Sequence, residues 1–478
     1  MLRSAAGGGE LSGLRRVGLR AVLGAGVLGV GMLLLAGCGS EVVSLGGTGS
    51  QAGPPPTASQ SGTVTVAPEY AATGQGGSVQ FTAAVTGGGT GSGGLQWTVN
   101  GVAGGNALLG TVDAQGRYTA PAALTASENV TVTAQVMSSP GTNYATSVVS
   151  LIEPGVVTAT GNPQVASYAM DLPAPGTVEV VFGPTAGYGL RTWTRPTATA
   201  NGGMVSLYVA GMLGQTMYHM QARVVLNDGA TYSDQDQTFM TGTPQYSSPV
   251  TAETTVGDTP QPGIEMFDTL SPLEPVQAFA TDLNGNVIWT YTYQGNADDR
   301  VQPIEMLANG DFLVQISYAS SIPLQKGNAI PPGVLDEVRE VDLAGNTVRS
   351  LTAAQVESEL GAEGYNLKLG SLHHDVLALP NGHLLLLFTV TEDVAVNGYP
   401  GLTSVLGDAL VDVDQNFKPD WVWNSFDHLD VNRHPYLFPD WTHSNALLYT
   451  DDHNVLLSVR HQNWIIKIDF EDGKGPGN

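Results

Sequence analysis

Asp282-Leu-Asn-Gly-Asn-Val-Ile-Trp289 is the segment that decides the fold, because this turn between apolar runs recurs in a loose form along the chain. Related segments start at Asp342, Asp412 and Asp469, at successive intervals of 60, 70 and 57 residues. Such internal repetition indicates repeated supersecondary units. A second turn element, Leu307-Ala-Asn-Gly-Asp-Phe-Leu-Val314, alternates with it and returns at Leu379. Asn-Gly turns between apolar runs indicate β-hairpins. Hairpins repeated at this spacing predict the four-stranded blades of a β-propeller.

The repeats extend over residues 251–478, which hold about three to three and a half periods. Propellers usually close with four to eight blades. An open arc would leave a sheet edge unpaired and part of the core uncovered. We therefore expect an incomplete propeller whose remaining blades lie beyond Asn478. The alternative is a short propeller that another chain completes.

Two smaller β modules are predicted before the propeller, so the expected fold class is all-β. Residues 63–153 alternate apolar and polar positions with period two around a central Trp97, which predicts an immunoglobulin-like sandwich without a disulfide. Residues 156–245 contain the same alternation and resemble a fibronectin type III module, with a Tyr-x-x-x-Ala-Arg strand before a Thr-Phe-x-Thr-Gly segment. Neither module contains a catalytic constellation, and we expect spacers or docking surfaces.

The first 38 residues predict export and lipid attachment. A basic leader precedes an apolar run of about 15 residues, which is shorter than the roughly 20 needed to span a membrane as a signal anchor. The run ends in Leu35-Ala-Gly-Cys38, the pattern of a bacterial lipoprotein processing site. Cys38 is the only cysteine, so lipidation is its expected role. Residues 39–62 are rich in Gly, Pro, Ser and Thr and predict a disordered linker. We expect an envelope protein on the periplasmic or extracellular face.

The charge of the chain limits its partners. It carries 18 Lys and Arg against 43 Asp and Glu, a formal net charge of −25. Such a balance argues against nucleic acid as a partner. Eight of the nine histidines nevertheless lie between His373 and His461, where Arg433 and Arg460 also occur. Imidazoles and guanidiniums concentrated in an acidic chain indicate a site that handles negative charge or moves protons.

The repeat register predicts which of these side chains meet. Homologous positions at the start of successive blades face the central channel, so His373 or His374 should approach His443 although about 70 residues separate them. The remaining histidines have ordinary structural explanations open to them. We expect His383 and His453 to be surface or turn residues of this kind.

Four ordered motifs in this window resemble the bacterial arylsulfotransferases, also called aryl-sulfate sulfotransferases. They are His373-His-Asp375, Leu379-Pro-Asn-Gly-His383, Asp440-Trp-x-His-x-Asn445 and Ser458-x-Arg-His-Gln-Asn463. The resemblance covers residues 250–478. It implies a six-bladed propeller and a ping-pong reaction in which a histidine takes a sulfuryl group from a phenolic sulfate ester and passes it to a phenol. It implies no nucleotide-sulfate donor, no cofactor and no metal.

The resemblance also implies roles for individual residues. A departing or attacking phenol needs an acid or base with a pKa near neutrality, and His374 is our choice for it. His373 is its rival, and Asp375 could orient it. Arg460 would bind the sulfuryl oxygens, and His443 and Asn445 would donate to them. The residues expected to bind substrate or shape the mouth are His428, Arg433, His434 and His461. The family's sulfated histidine belongs to a later segment, so this chain alone should lack the nucleophile and be inactive.

Three other hypotheses remain open from the sequence. His373, His443 and Asp375 could bind zinc, although no tight metal signature is present. The Asn-Gly-Asn-Val-Ile-Trp motif is reminiscent of quinone-dependent dehydrogenases. The chain could also be a lipid-anchored binding or scaffold protein built from immunoglobulin, fibronectin and propeller modules. The sequence does not determine the donor and acceptor phenols or the oligomeric state.

Overall fold

The structure is a computed structural model that describes residues 63–86, 94–137, 143–246, 250–269, 276–293, 299–318 and 336–478. It is nearly all β, which confirms the predicted fold class. The predicted leader, Cys38 and the linker 39–62 lie outside the described residues. Within the described ranges, no helix has both the length and the apolar content required to cross a membrane.

The first module packs its sheets around aromatic residues. Tyr118 and Phe81 are fully buried and Trp97 nearly so. Gly116 has a φ of +80°, and a Cβ there would come within 2.7 Å of the Trp97 ring, so this turn requires glycine. The five-stranded sheet contains Tyr70–Gly74, Tyr144–Ile152, Glu128–Val136, Leu95–Val99 and Val102–Ala103. The other strands are Ser78–Gln80, Arg117–Thr119, Gly110–Val112 and Gly105–Asn106 in one sheet, and Thr63–Ala67 with Thr82–Thr86 in another.

The second module has a three-stranded and a six-stranded sheet around a core that includes Tyr168, Phe182 and Met220. It is joined to the following sheet, because Gln164 donates to the Val287 carbonyl at 2.9 Å. The smaller sheet contains Val156–Ala159, Ala166–Leu172 and Gly203–Val209. The larger sheet contains Gly176–Gly183, Leu190–Arg191, Arg195–Pro196, Met217–Leu226, Thr231–Ser233 and Gln237–Met240.

Four antiparallel meander sheets follow in the described part of the chain, and we number them 1 to 4. Sheet 1 contains Glu265–Asp268, Ala278–Thr281 and Val287–Tyr291. Sheet 2 contains Asp299–Met306, Phe312–Tyr318, Glu337–Val341 and Thr347–Thr352. Sheet 3 contains Leu369–Ala378, Leu384–Ala395, Leu402–Val413 and Pro419–Asn424. Sheet 4 contains Ser444–Tyr449, Val455–Val459 and Trp464–Ile468.

The first strand of each numbered sheet contacts the first strand of the next. This succession is compatible with the predicted arc of propeller blades. It also corrects the repeat register. Asp282 and Asp342 accept backbone N–H groups within their turns, and the residue that does so in sheet 3 is Asp414 and not Asp412. The aspartate turn is therefore two residues later than the sequence alignment placed it.

In the described part of the chain, two short α-helices lie between successive sheets, and the sequence pattern did not predict them. Helix α1, Ala353–Ala362, begins at a capping box in which Thr352 and Gln355 satisfy each other's backbone N–H groups. Its apolar side, with Val356 and Leu360, packs into the core between sheets 2 and 3. Helix α2, Ser425–His428, follows the last strand of sheet 3. The described part of the chain also has two 3₁₀ turns. Arg460–Gln462 connects the second and third strands of sheet 4, and Glu471–Gly473 follows the third strand.

Candidate active site

Local distortions of two neighbouring strands bring the central histidines together. His374 has a φ of +59° and His443 a φ of +47°, in the left-handed region that non-glycine residues seldom adopt. Strand pairing shifts register between Leu372 and Val376 in sheet 3, and between Ser444 and Ala446 in sheet 4. Such bulges redirect side chains. The two distortions occur on adjacent first strands, and they aim both imidazoles into one space.

The centre consists of two imidazoles and a guanidinium in direct contact. His374 Nε2 lies 3.2 Å from His443 Nε2, and Arg460 Nη1 lies 3.1 Å from the same His443 atom. The 3₁₀ turn places Arg460 there, because its backbone N–H donates to the His443 carbonyl. A guanidinium can only donate, so His443 Nε2 accepts and the imidazole proton is on Nδ1. That Nδ1 donates to Asp440 Oδ2 at 2.5 Å.

His374 is held neutral by its surroundings. Burial, followed by the nearby His373 and His443 rings and the Arg460 guanidinium, lowers the pKa of His374 to about 4, although the Asp408 carboxylate acts in the opposite direction. From the sequence we expected the pKa of His374 to lie near neutrality. At neutral pH the substrate-free imidazole of His374 is therefore uncharged, so it can act as a base but not as an acid.

Asp408 separates the roles of the two adjacent histidines. Its carboxylate is fully buried, with Oδ1 3.1 Å from His373 Nε2 and Oδ2 accepting the Ser444 N–H at 2.6 Å. Burial opposes ionisation of Asp408, but the contact with His373 holds its pKa below the usual range. His373 is thus tied to Asp408, while His374 reaches His443. Asp375 accepts the Leu447 N–H at 2.6 Å and so links sheets 3 and 4.

His461 extends the centre towards an exposed aromatic side chain. Its Nδ1 donates to the Asp440 carbonyl at 2.8 Å, and its ring centroid lies 4.6 Å from that of His443. On its other side, His461 stacks with Tyr436 at 4.8 Å, and about half of Tyr436 is exposed. Asn445 occupies the bulge next to His443, and its side chain is exposed.

The other expected substrate-binding residues have structural partners. Arg433 donates to the Gln462 carbonyl at 2.9 Å and covers the Trp464 ring at 3.8 Å. His434 packs between Tyr399 and Phe438. His428 stacks on Trp423, on the outer strand of sheet 3. The structure therefore does not bring His428 into the central cluster. The turn residues His383 and His453 pair with Asp412 and Asp472, respectively.

Two groups of side chains in the described ranges could hold a metal ion. The ligand atoms of Asp440, His443 and His461 all lie within 4.8 Å of one another, and the same is true of His383, Asp412 and Asp420. The zinc hypothesis from the sequence used His373, His443 and Asp375, which is neither of these groups. Sequence reasoning had no role for Asp408 or Asp440. Asp408 is an acidic residue within the largely apolar strand Leu402–Val413, and this position is the signal in the sequence that could have indicated a role for it.

Fold and site together define a class, a modular β protein whose imidazole and guanidinium groups converge on one centre suited to anions. Residues 250–474 match the family model described as Arylsulfotransferase (ASST), a match that supports arylsulfotransferase family membership for this part of the chain. No match was found among curated protein sequences.

Solved structures resemble the chain only distantly. An ICAM-5 ectodomain fragment is 11% identical with a TM-score of 0.19, covering 76% of this chain and 98% of its own. Fibronectin(III)-like modules of Clostridium thermocellum CbhA are 9% identical with a TM-score of 0.17, covering 40% of this chain and 100% of theirs. Titin domains are 10% identical with a TM-score of 0.15, covering 38% and 68%. No functional inference rests on these likenesses.

Proposed function

We propose that this protein is an aryl sulfotransferase that moves a sulfuryl group from a phenolic sulfate ester to a phenol. The observation that carries the proposal is the meeting of His374, His443 and Arg460 within hydrogen-bond distance, inside the region that matches the arylsulfotransferase family model. The family match supports aryl sulfotransferase activity in general.

A sulfuryl group in transfer carries negative charge on three oxygens, as a phosphoryl group does. Arg460 can present two parallel N–H donors to two of these oxygens. In the substrate-free state Arg460 donates to His443, so the bound anion replaces His443 as its acceptor. A protonated His443 then donates from Nε2, with its charge stabilised by Asp440 on the opposite nitrogen. Asn445 adds an amide donor from the neighbouring bulge.

The reaction that we propose has two balanced steps through a sulfohistidine. In the first, a histidine nitrogen forms a bond to sulfur while the ester S–O bond breaks, and the departing phenolate takes the proton that the attacking imidazole loses. In the second, the acceptor phenol oxygen forms a bond to sulfur and the S–N bond breaks. Neutral His374 accepts the proton of the attacking phenol, and this proton returns to the departing imidazole.

We propose that none of the three histidines of the central cluster is the nucleophile. His374 serves as the base, His443 is held between Asp440 and Arg460, and His461 donates to the Asp440 carbonyl. In this proposal the sulfated histidine is a residue other than these three. Sulfation of one of these three side chains would contradict this part of the proposal.

Transfer from 4-nitrophenyl sulfate to phenol tests the function. The complete gene product should release 4-nitrophenol in a phenol-dependent manner, without nucleotide and with excess chelator present. Alkaline quenching, digestion and mass spectrometry of the same mixture should locate the sulfated histidine. Activity lost with chelator would favour a metal at Asp440, His443 and His461. Failure of transfer with all phenols tested would favour a binding or scaffold protein.

We also propose that Cys38 anchors the protein to the cell envelope through lipid. The support is the Leu-Ala-Gly-Cys ending of the apolar leader. Cys38→Ser should move the protein from the membrane fraction to the soluble fraction, because a covalent lipid supplies the membrane affinity. Fractionation of cells expressing the two forms measures this. Wild-type protein found in the soluble cytoplasm would contradict the proposal.

A further inference from the structure

A second cluster of ligand-type side chains lies at one end of sheet 3, among residues that the proposed reaction does not use. His383 Nδ1 is 3.1 Å and 3.3 Å from the two carboxylate oxygens of Asp412. Asp412 is completely buried, and a carboxylate oxygen of Asp420 lies within 4.8 Å of both ligand atoms. The 3₁₀ turn at Gly473 closes one side, where a Cβ would come within 2.9 Å of Asp412 Oδ2. The cluster therefore brings one imidazole and two carboxylates together, with Asp412 buried and Asp420 exposed.

Sheet 2 offers an internal comparison, because its turn is built in the same way. The backbone pairing of Leu307 with Asp311 matches that of Leu379 with His383. In the strand pairing, Glu340 faces Leu313 as Asp412 faces Leu385, so these two carboxylates occupy equivalent positions.

The two sheets differ in how these carboxylates are neutralised. In sheet 2, Arg349 forms an ion pair with Glu340. The residue equivalent to Arg349 in sheet 3 is Trp421, since each faces the equivalent carboxylate in the pairing. The indole N–H of Trp421 donates to the Gly475 carbonyl, and an uncharged indole does not neutralise a carboxylate. Asp420, from the bulge of the same strand, adds a second negative charge. Sheet 2 has Asp311 in the position of His383, and its Glu340 pairs with a guanidinium that is always charged. In sheet 3 the only described basic partner of the two carboxylates is the imidazole of His383, which can be neutral.

We propose that His383, Asp412 and Asp420 bind a divalent transition-metal ion of the zinc type. One imidazole nitrogen and two carboxylate oxygens form a donor set that Zn²⁺ uses, with water completing the tetrahedron. An N–O separation near 3 Å suits two ligands that share one ion at about 2.0–2.2 Å each. The ion takes the place that Arg349 fills in sheet 2. It joins the turn at His383 to the third and fourth strands of sheet 3, which carry Asp412 and Asp420, so its role is structural.

The test uses Zn²⁺ alone, titrated calorimetrically into the metal-free 478-residue chain. We expect one equivalent to bind at this site. Since loss of a group that only supports a metal ligand costs 10–100-fold in affinity, removal of a direct ligand by His383→Gln or Asp420→Asn should weaken binding by at least about 100-fold. The matched control is His461→Gln, which alters the other group that could hold a metal, and it should leave this equivalent unchanged.

A second measurement guards against variants that fold poorly. Zn²⁺ should raise the melting temperature of the wild-type chain and of His461→Gln, because an ion that binds only the folded state stabilises it. It should not raise that of Asp420→Asn, whose circular dichroism should match the wild type. The proposal is overturned if no equivalent binds, or if binding survives His383→Gln and is lost in His461→Gln.

Discussion

Arg460→Ala should lower the rate of sulfuryl transfer by about 10²–10³-fold, the usual cost of removing one fixed donor to a developing anion. Arg460 contacts the His443 Nε2 atom in the substrate-free site, and it is the only described arginine in contact with the central imidazoles. The loss should appear mainly in kcat, because the charge on the sulfuryl oxygens grows during transfer. The measurement is the phenol-dependent release of 4-nitrophenol by the complete gene product.

Two lysine variants make the expectation specific. Arg460→Lys should recover little of the rate, since an ammonium is a point charge and cannot replace a planar two-pronged donor. Arg433→Lys is the matched control, because Arg433 is bound to Gln462 and covers Trp464 outside the centre. It should retain a rate close to that of the wild type. Wild-type activity in Arg460→Lys, or an equal loss in Arg433→Lys, would contradict the role given to Arg460.

The meeting of His374 with His443 could be predicted from the sequence, and the reason is topological. A repeated meander places the first strand of each sheet against the first strand of the next, so equivalent positions become neighbours across about 70 residues of chain. The repeated turn motifs supplied the register. The error of two residues at Asp412 does not affect this prediction, because the hairpin turns beside His374 and His443, and not the Asp412 segment, set the positions of these two histidines.

The chemistry of the centre could not be predicted in the same way. It depends on two bulges that rotate His374 and His443 into left-handed backbone, which period-two alternation cannot anticipate. The low pKa of His374 depends on burial and on three neighbouring groups that only the folded chain assembles. Asp408 comes from the third strand of sheet 3, so no local motif connects it with His373.

Residues near one another in the sequence also separated on folding. His428 and His434 belong to the same histidine window as His443, but His428 stacks on Trp423 at the outer strand, and His434 packs against Tyr399. The connection between sheets 3 and 4 has few repeat signals, so its course follows aromatic packing. The concentration of histidines in one stretch of the sequence therefore indicated where the site lies, but not which of these histidines belong to it.

His443→Ala is expected to be the second large loss, again about 10²–10³-fold in the rate of transfer, because it removes the donor opposite Arg460. His428→Ala is the matched control within the same window, and it should leave the rate almost unchanged because its ring contacts Trp423. The assay is the same release of 4-nitrophenol, with circular dichroism to verify the fold of each variant. Equal losses in the two variants would indicate a general effect on folding.

A substitution at Asp440 tests whether His443 donates a hydrogen bond to the anion or only packs within the site. Its carboxylate accepts from His443 Nδ1 at 2.5 Å and so stabilises a protonated ring whose other nitrogen faces the anion. Asp440→Asn removes that charge and should slow transfer, but by less than His443→Ala. Because Asp440 acts through His443, adding Asp440→Asn to His443→Ala should cause almost no further loss, as expected for residues that function as a unit. If the two losses instead multiply in the double variant, Asp440 has a separate function and the proposed donation from Nε2 is wrong.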